Sequence, residues 1–114
     1  MSPYVIPGLK KHVTISKATR LSDALIIDAI IDYREQTREK VFGSSRKQNL
    51  VHTRRLIFWF LKRMTSLSLV QIGKSVGGRD HTTVIYSIQT LEDLMQTEPD
   101  IRREVDYLNH LLLQ

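Results

Sequence analysis

Gly77-Gly78-Arg79-Asp80-His81-Thr82-Thr83-Val84 joins two unlike pieces of chain. Paired glycines tolerate φ > 0 at little steric cost, so a sharp turn is predicted there. Asp80 is a good N-cap for a helix beginning at His81. That helix opens on three short polar residues, His81, Thr82 and Thr83. Behind them Val84, Ile88, Leu91 and Met95 recur at spacings of four and three, a stripe that can face a core. Upstream, Ser68 and Gln71 have the spacing of a capping box at the head of Ser68–Val76, where Leu69, Ile72 and Val76 point inward. Two helices joined by a glycine-containing turn describe a helix-turn-helix, whose second helix commonly enters the DNA major groove.

The longer run Ile72-Gly73-Lys74-Ser75-Val76-Gly77-Gly78-Arg79-Asp80-His81-Thr82-Thr83-Val84 resembles the signature of the C-terminal DNA-binding domain of DnaA, the bacterial replication initiator. The resemblance extends from Ala24 to Gln114 and leaves the first twenty residues outside it. Two departures stand out. The family usually has a charged residue before an aliphatic one near the end of the signature, where this chain has Thr90-Leu91. It typically has Ala-Arg-Pro-Arg or Ala-Arg-Gln-Arg where this chain has Val51-His52-Thr53-Arg54, so His52 replaces the first arginine and Arg54 keeps the second.

The charge distribution points the same way. The net charge is +5, but nine Lys or Arg and no acidic residue lie between Lys40 and Arg79. The remaining eight basic and twelve acidic residues leave a net of −4 elsewhere. A long basic stretch without acids suits a surface that meets a polyanion. The plain alternative, a solvated basic face, does not explain why the stretch leads directly into a recognition-helix pattern.

A chain of 114 residues, 41% hydrophobic, suits one globular domain with a modest core. No apolar run approaches the ~20 residues needed to span a bilayer. The N-terminus lacks the basic-then-apolar pattern of a secretion signal. With no cysteine, disulfides and thiolate metal sites are excluded. A cytoplasmic setting is expected.

Residues 1–20 contain Pro3, Pro7 and Gly8 and no sustained period, which predicts an N-terminal arm. Its apolar residues Tyr4, Val5, Ile6 and Leu9 would suit docking on the domain that follows, 21–114. Leu21–Gln36 reads as the first helix, with Ser22 as N-cap and Ile26, Ala29, Ile30 and Tyr33 inward, widened by Ile27 and Ile31. A short helical turn is predicted over Thr37–Phe42, and Gly43-Ser44-Ser45-Arg46-Lys47-Gln48 is a loop by composition. The longest helix is predicted over Asn49–Thr65, capped by Asn49. Leu50, Leu56, Ile57, Phe60, Leu61 and Met64 form its apolar face, Trp59 either extends that face or lies at its margin, and Arg54, Arg55 and Lys62 sit apart. The last helix is predicted to start with Thr97 as N-cap and Pro99 in its first turn. Ile101, Val105, Leu108 and Leu112 point inward, and Leu111 and Leu113 add an apolar edge.

Catalytic motifs are missing. Gly73-Lys74-Ser75 matches the end of a phosphate-binding P-loop, but the first glycine of that motif would fall on Ser68 and no strand precedes it. The ATPase module of full-length DnaA is therefore not expected within these 114 residues. His12, His52, His81 and His110 lack metal-ligand spacing. Asp80-His81 has no accompanying nucleophile. No enzyme activity, cofactor or metal is expected, and His52 is expected to lie near phosphate.

The sequence thus predicts an all-α bundle of five to six helices built on a helix-turn-helix that binds double-stranded DNA sequence-specifically. The resemblance implies recognition like that of the DnaA box. Asp80, His81, Thr82 and Thr83 are expected in the major groove, where a carboxylate can accept from a cytosine amino group and a threonine methyl can pack on a thymine methyl. By the family match, Arg46 enters the minor groove, whose narrow A·T-rich form concentrates negative potential. Lys47, Arg54, Arg55, Lys62 and Arg79 are assigned to the backbone, where contacts fix register, not sequence. A transcription regulator reusing the fold on another site, and a protein-interaction adaptor working through the arm or last helix, are the alternatives.

Overall fold

A computed structural model describes residues 22–113 of the chain. The arm expected over 1–20 lies outside the described residues. Six helices follow one another: α1 Asp23–Tyr33, α2 Arg38–Phe42, α3 Gln48–Met64, α4 Leu69–Ser75, α5 His81–Thr97 and α6 Pro99–Leu112. No strand occurs among the described residues. This is the all-α helix-turn-helix bundle that the periodicities predict.

The longest helix is the centre of the fold. α3 packs against α1, α2, α4 and α5, most extensively against α5, and α6 closes the bundle on α5. The cause is the breadth of its apolar face. Leu50, Leu56, Ile57, Phe58, Phe60 and Leu61 are all buried, at positions spread around more than half of the helix. A helix apolar over so wide an arc must be covered on several sides. Phe58, absent from the predicted face, is 1% exposed and belongs to this arc.

From α1 the core receives Ile26, Ile27, Ala29, Ile30 and Ile31, with Tyr33 partly buried beside them. From α5 it receives Val84 and Leu91, with Ile88 and Met95 packed at its edge. From α6 it receives Val105, Leu108 and Leu112. Leu111 is also buried, so the predicted apolar edge of α6 reduces to Leu113. Each fully buried Val, Leu or Ile among these contributes on the order of 1.5–3 kcal/mol.

Helix ends follow local chemistry, with three corrections. Ser22 accepts from the Leu25 amide at 3.1 Å, and Thr37 accepts from Lys40. Ser68 and Gln71 form the full capping box. The long helix, however, begins at Gln48 with Lys47 as cap residue and no side-chain cap bond; Asn49 is already helical. The last helix is capped at Glu98, because Thr97 still continues α5 and its hydroxyl bonds back to the Asp93 carbonyl. Asp80 does occupy the N-cap of α5, but its carboxylate makes no cap bond.

Both turn glycines adopt φ of +72°. They differ in surroundings. A Cβ on Gly77 would overlap the Phe42 carbonyl and the Arg79 guanidinium, whereas Gly78 faces open space. Gly73 lies directly under the turn, and a Cβ there would overlap the Arg79 carbonyl.

Candidate nucleic-acid interface

The turn brings four polar residues to the surface together. Asp80, His81, Thr82 and Thr83 are all exposed. Directly after them Val84 is fully buried, which anchors the first turn of α5 to the core. Asp80 Oδ1 lies 2.9 Å from His81 Nδ1. The Asp80 carboxylate makes no cap bond to the helix amides and faces solvent beside the His81 imidazole. The same face continues along α5 to Tyr86, 68% exposed, with Ile85 at 37%.

The loop between α2 and α3 presents Arg46 and Lys47 to solvent. Its backbone is held from inside. Arg54 Nε donates to the Val41 carbonyl at 2.6 Å, Nη1 to Ser45 at 2.7 Å, and Nη2 to Gly43 at 3.0 Å and Lys40 at 3.3 Å. Arg79 reaches the same place from the helix-turn-helix. Its Nη1 donates to Phe42 at 2.8 Å and Val76 at 2.9 Å, and its Nη2 donates to Gly43. The acceptors are mostly the carbonyls left unpaired where α2 ends, the negative end of its dipole.

This corrects the placement of Arg54. The sequence sets it apart from the apolar face, but it is 7% exposed and its guanidinium serves backbone carbonyls. Arg79 is half-buried. Burial lowers the Arg54 guanidinium from its ordinary value, helped by the nearby positive charge of Arg79, and burial alone lowers Arg79. Both stay charged at neutral pH. Of the basic residues assigned to the backbone, Lys47 and Lys62 are exposed and Arg55 is half-buried. Lys62 stands in the last turn of α3, about 20 Å along the axis from Lys47 at 1.5 Å per residue.

His52 has a different neighbour from the phosphate expected. Its Nε2 lies 2.6 Å from Glu104 Oε1 on α6. The other carboxylate oxygen accepts from Arg34 Nη1 at 3.1 Å and from the Tyr33 hydroxyl at 3.2 Å. Burial pushes the Glu104 carboxyl up, but the bond and charge of His52, the charge of Arg34 and the Tyr33 bond outweigh it and leave it below the usual range. Tyr33 is raised, by burial first and by the Glu104 charge second. The cluster ties α1, α3 and α6 together beside an open cleft of about 840 Å³ whose lining includes Arg55, Leu94, Ile101 and Tyr107.

Among the described residues no group of three or more His, Asp or Glu is placed to hold a metal ion, and no helix is long and apolar enough to cross a membrane.

A family model for the bacterial DnaA protein helix-turn-helix matches residues 24–91, from the start of α1 to Leu91 on α5. The chain belongs to the bacterial DnaA helix-turn-helix family. The DnaA match takes in the buried arginine, the basic loop, both glycines and the polar start of α5. The chromosomal replication initiator protein DnaA of Leifsonia xyli subsp. xyli is 32% identical over 112 residues, 98% of this chain and 24% of that protein. The DnaA of Gloeobacter violaceus is 32% identical over 92 residues, 81% of this chain and 21% of that protein. The DnaA of Ehrlichia ruminantium (strain Gardel) is 38% identical over 72 residues, 63% of this chain and 16% of that protein. This chain thus spans about a quarter or less of the length of these DnaA relatives.

Proposed function

We propose that this chain binds double-stranded DNA sequence-specifically through its helix-turn-helix, recognising sites like the DnaA box and acting as a binding module, not as a catalyst. The observation that carries the proposal is the first turn of α5, where four short polar residues are exposed while Val84 behind them is fully buried. A helix docked in the major groove needs such a start, with side chains free to reach base edges and a backbone that cannot yield. Asp80, His81, Thr82 and Thr83 read the major groove. Arg46, exposed on a fixed loop, reads the minor groove. Lys47, Arg55 and Lys62 hold the phosphates. Membership of the DnaA family supports replication initiation as the setting and the cytoplasm as the location.

Selection of bound duplexes from a random DNA pool tests the proposal. One enriched motif resembling the DnaA box is expected. An enriched motif of another kind would favour the transcription regulator, and no enrichment at salt near 0.15 M would overturn sequence-specific binding.

A further inference from the structure

We propose that Arg54 and Arg79 are positioning residues that lock the Arg46 loop to the turn before α5, so that the protein itself sets the register between the two DNA-reading elements. The proposal rests on the DNA-binding function above, and it departs from the DNA-backbone contacts that the sequence reading assigns to these two side chains.

The geometry is convergent. Four consecutive carbonyls, from Lys40 to Gly43, and that of Ser45 accept from one or both of the two guanidiniums. The Gly43 carbonyl accepts from both. Arg54 arrives from α3, the next helix, and Arg79 from the turn 36 to 37 residues on, so one short segment is held by two elements at once. Gly77 completes the contact, since only a residue without a Cβ fits against the Phe42 carbonyl there.

Each clamp point adjoins a reading residue. Ser45, anchored by Arg54, precedes Arg46, and on the far side the Lys47 amide donates to Ser45 Oγ at 3.3 Å. Arg79 directly precedes Asp80, the cap residue of α5. The side chains of Arg46 and Asp80 are exposed while the backbone beside each is fixed. A phosphate contact by Arg54 would strand up to four carbonyls, from a side chain with almost no surface. Planar fork geometry explains why arginine stands here, since lysine, with its single ammonium, cannot span these acceptors.

The test is a double-mutant cycle on the full chain, with affinity for the selected duplex measured by fluorescence anisotropy at fixed salt. Arg54→Lys and Arg79→Lys are each combined with Arg46→Ala. If the two arginines act through Arg46, each lysine variant loses about tenfold in affinity alone but less than about twofold when Arg46 is already alanine. Arg54→Lys should also flatten base preference only at the positions that Arg46→Ala flattens, leaving those read by Asp80. Equal losses in both backgrounds overturn the proposal. Where Arg54→Lys fails to fold by circular dichroism, Arg79→Lys carries the cycle. The unmodified chain gives a further readout by NMR. The Arg54 Nε proton should exchange slowly with water and keep its resonance when duplex is added; fast exchange or a large shift on binding overturns the lock. If the unmodified chain shows no base preference at all, the DNA-binding function fails, an outcome distinct from a selective chain whose losses add.

Discussion

Glu104 on α6 faces His52 on α3 with 2.6 Å between Oε1 and Nε2, and its other oxygen serves Arg34 and Tyr33. One carboxylate thereby joins three helices at a place where the side chains on either side are only 13–14% exposed. Helix α6 packs chiefly on α5, so this cluster is its polar tie to the rest of the bundle.

The depressed Glu104 carboxyl makes stability depend on acid. A carboxyl held below its unfolded value of about 4.3 supplies stability that is fully present above that value and is lost as pH falls through the native one. Glu104→Gln should cost about 1–3 kcal/mol at pH 7. It should also flatten the decline of Tm between pH 5 and 3, read by circular dichroism. Parallel Tm curves for the two proteins would show that the cluster supplies none of the acid sensitivity.

Salt dependence follows from which cations are available. With Arg54 and Arg79 committed to carbonyls, Arg46, Lys47, Arg55 and Lys62 are what remains of the basic residues assigned to phosphate or groove contact. At roughly −0.9 per neutralised phosphate, the slope of log K against log salt should be about −3 to −4. Lys62→Ala should reduce it by about one while weakening all sequences alike. A slope steeper than about −5 would mean that more of the nine clustered cations take part.

Asp80 offers a clean separation of reading from folding. Its carboxylate makes no cap bond, so Asp80→Asn should leave stability within about 0.5 kcal/mol of the unmodified chain. On the preferred duplex it should cost about 1–3 kcal/mol and relax discrimination at one or two base pairs. Binding to single-base mismatches measures this; unchanged preference would place the recognition surface elsewhere.

The two turn glycines should respond unequally to alanine. Both have φ of +72°, a conformation that costs a residue with a Cβ about 1–2 kcal/mol. At Gly78 that is the whole cost. At Gly77 the Cβ also meets the Phe42 carbonyl, and the total should reach about 3 kcal/mol. Urea denaturation of Gly77→Ala and Gly78→Ala compares them; equal midpoints would contradict the close approach of the turn to α2.

Helix positions and the inward stripes of α1, α5 and α6 were legible because burial imposes a period on the chain. The capping box and the left-handed glycines were legible because their chemistry is local. What stayed hidden depends on partners distant in sequence. Arg54 and Arg55 are the same residue type side by side, and only the end of α2, eleven to fourteen residues earlier, decides that one turns inward. His52 finds Glu104 fifty-two residues away. Phe58 was missed because a helix covered on several sides has more than one apolar stripe. Asn49 and Thr97 are good caps by type, yet each lies one residue or more inside a helix that its neighbours start or prolong.

The double hold on the Gly43 carbonyl also bears on how the chain can vary in length. Most surface loops tolerate insertions because their ends are fixed and their middles are not. Here the segment from Lys40 to Ser45 is gripped along its course, so its residue count is set by the spacing of two guanidiniums inside the protein. An added or deleted residue between α2 and α3 would shift every acceptor after it by about 3.5 Å. This connection should therefore keep a constant length wherever both arginines are present, and vary only where one of them is lost.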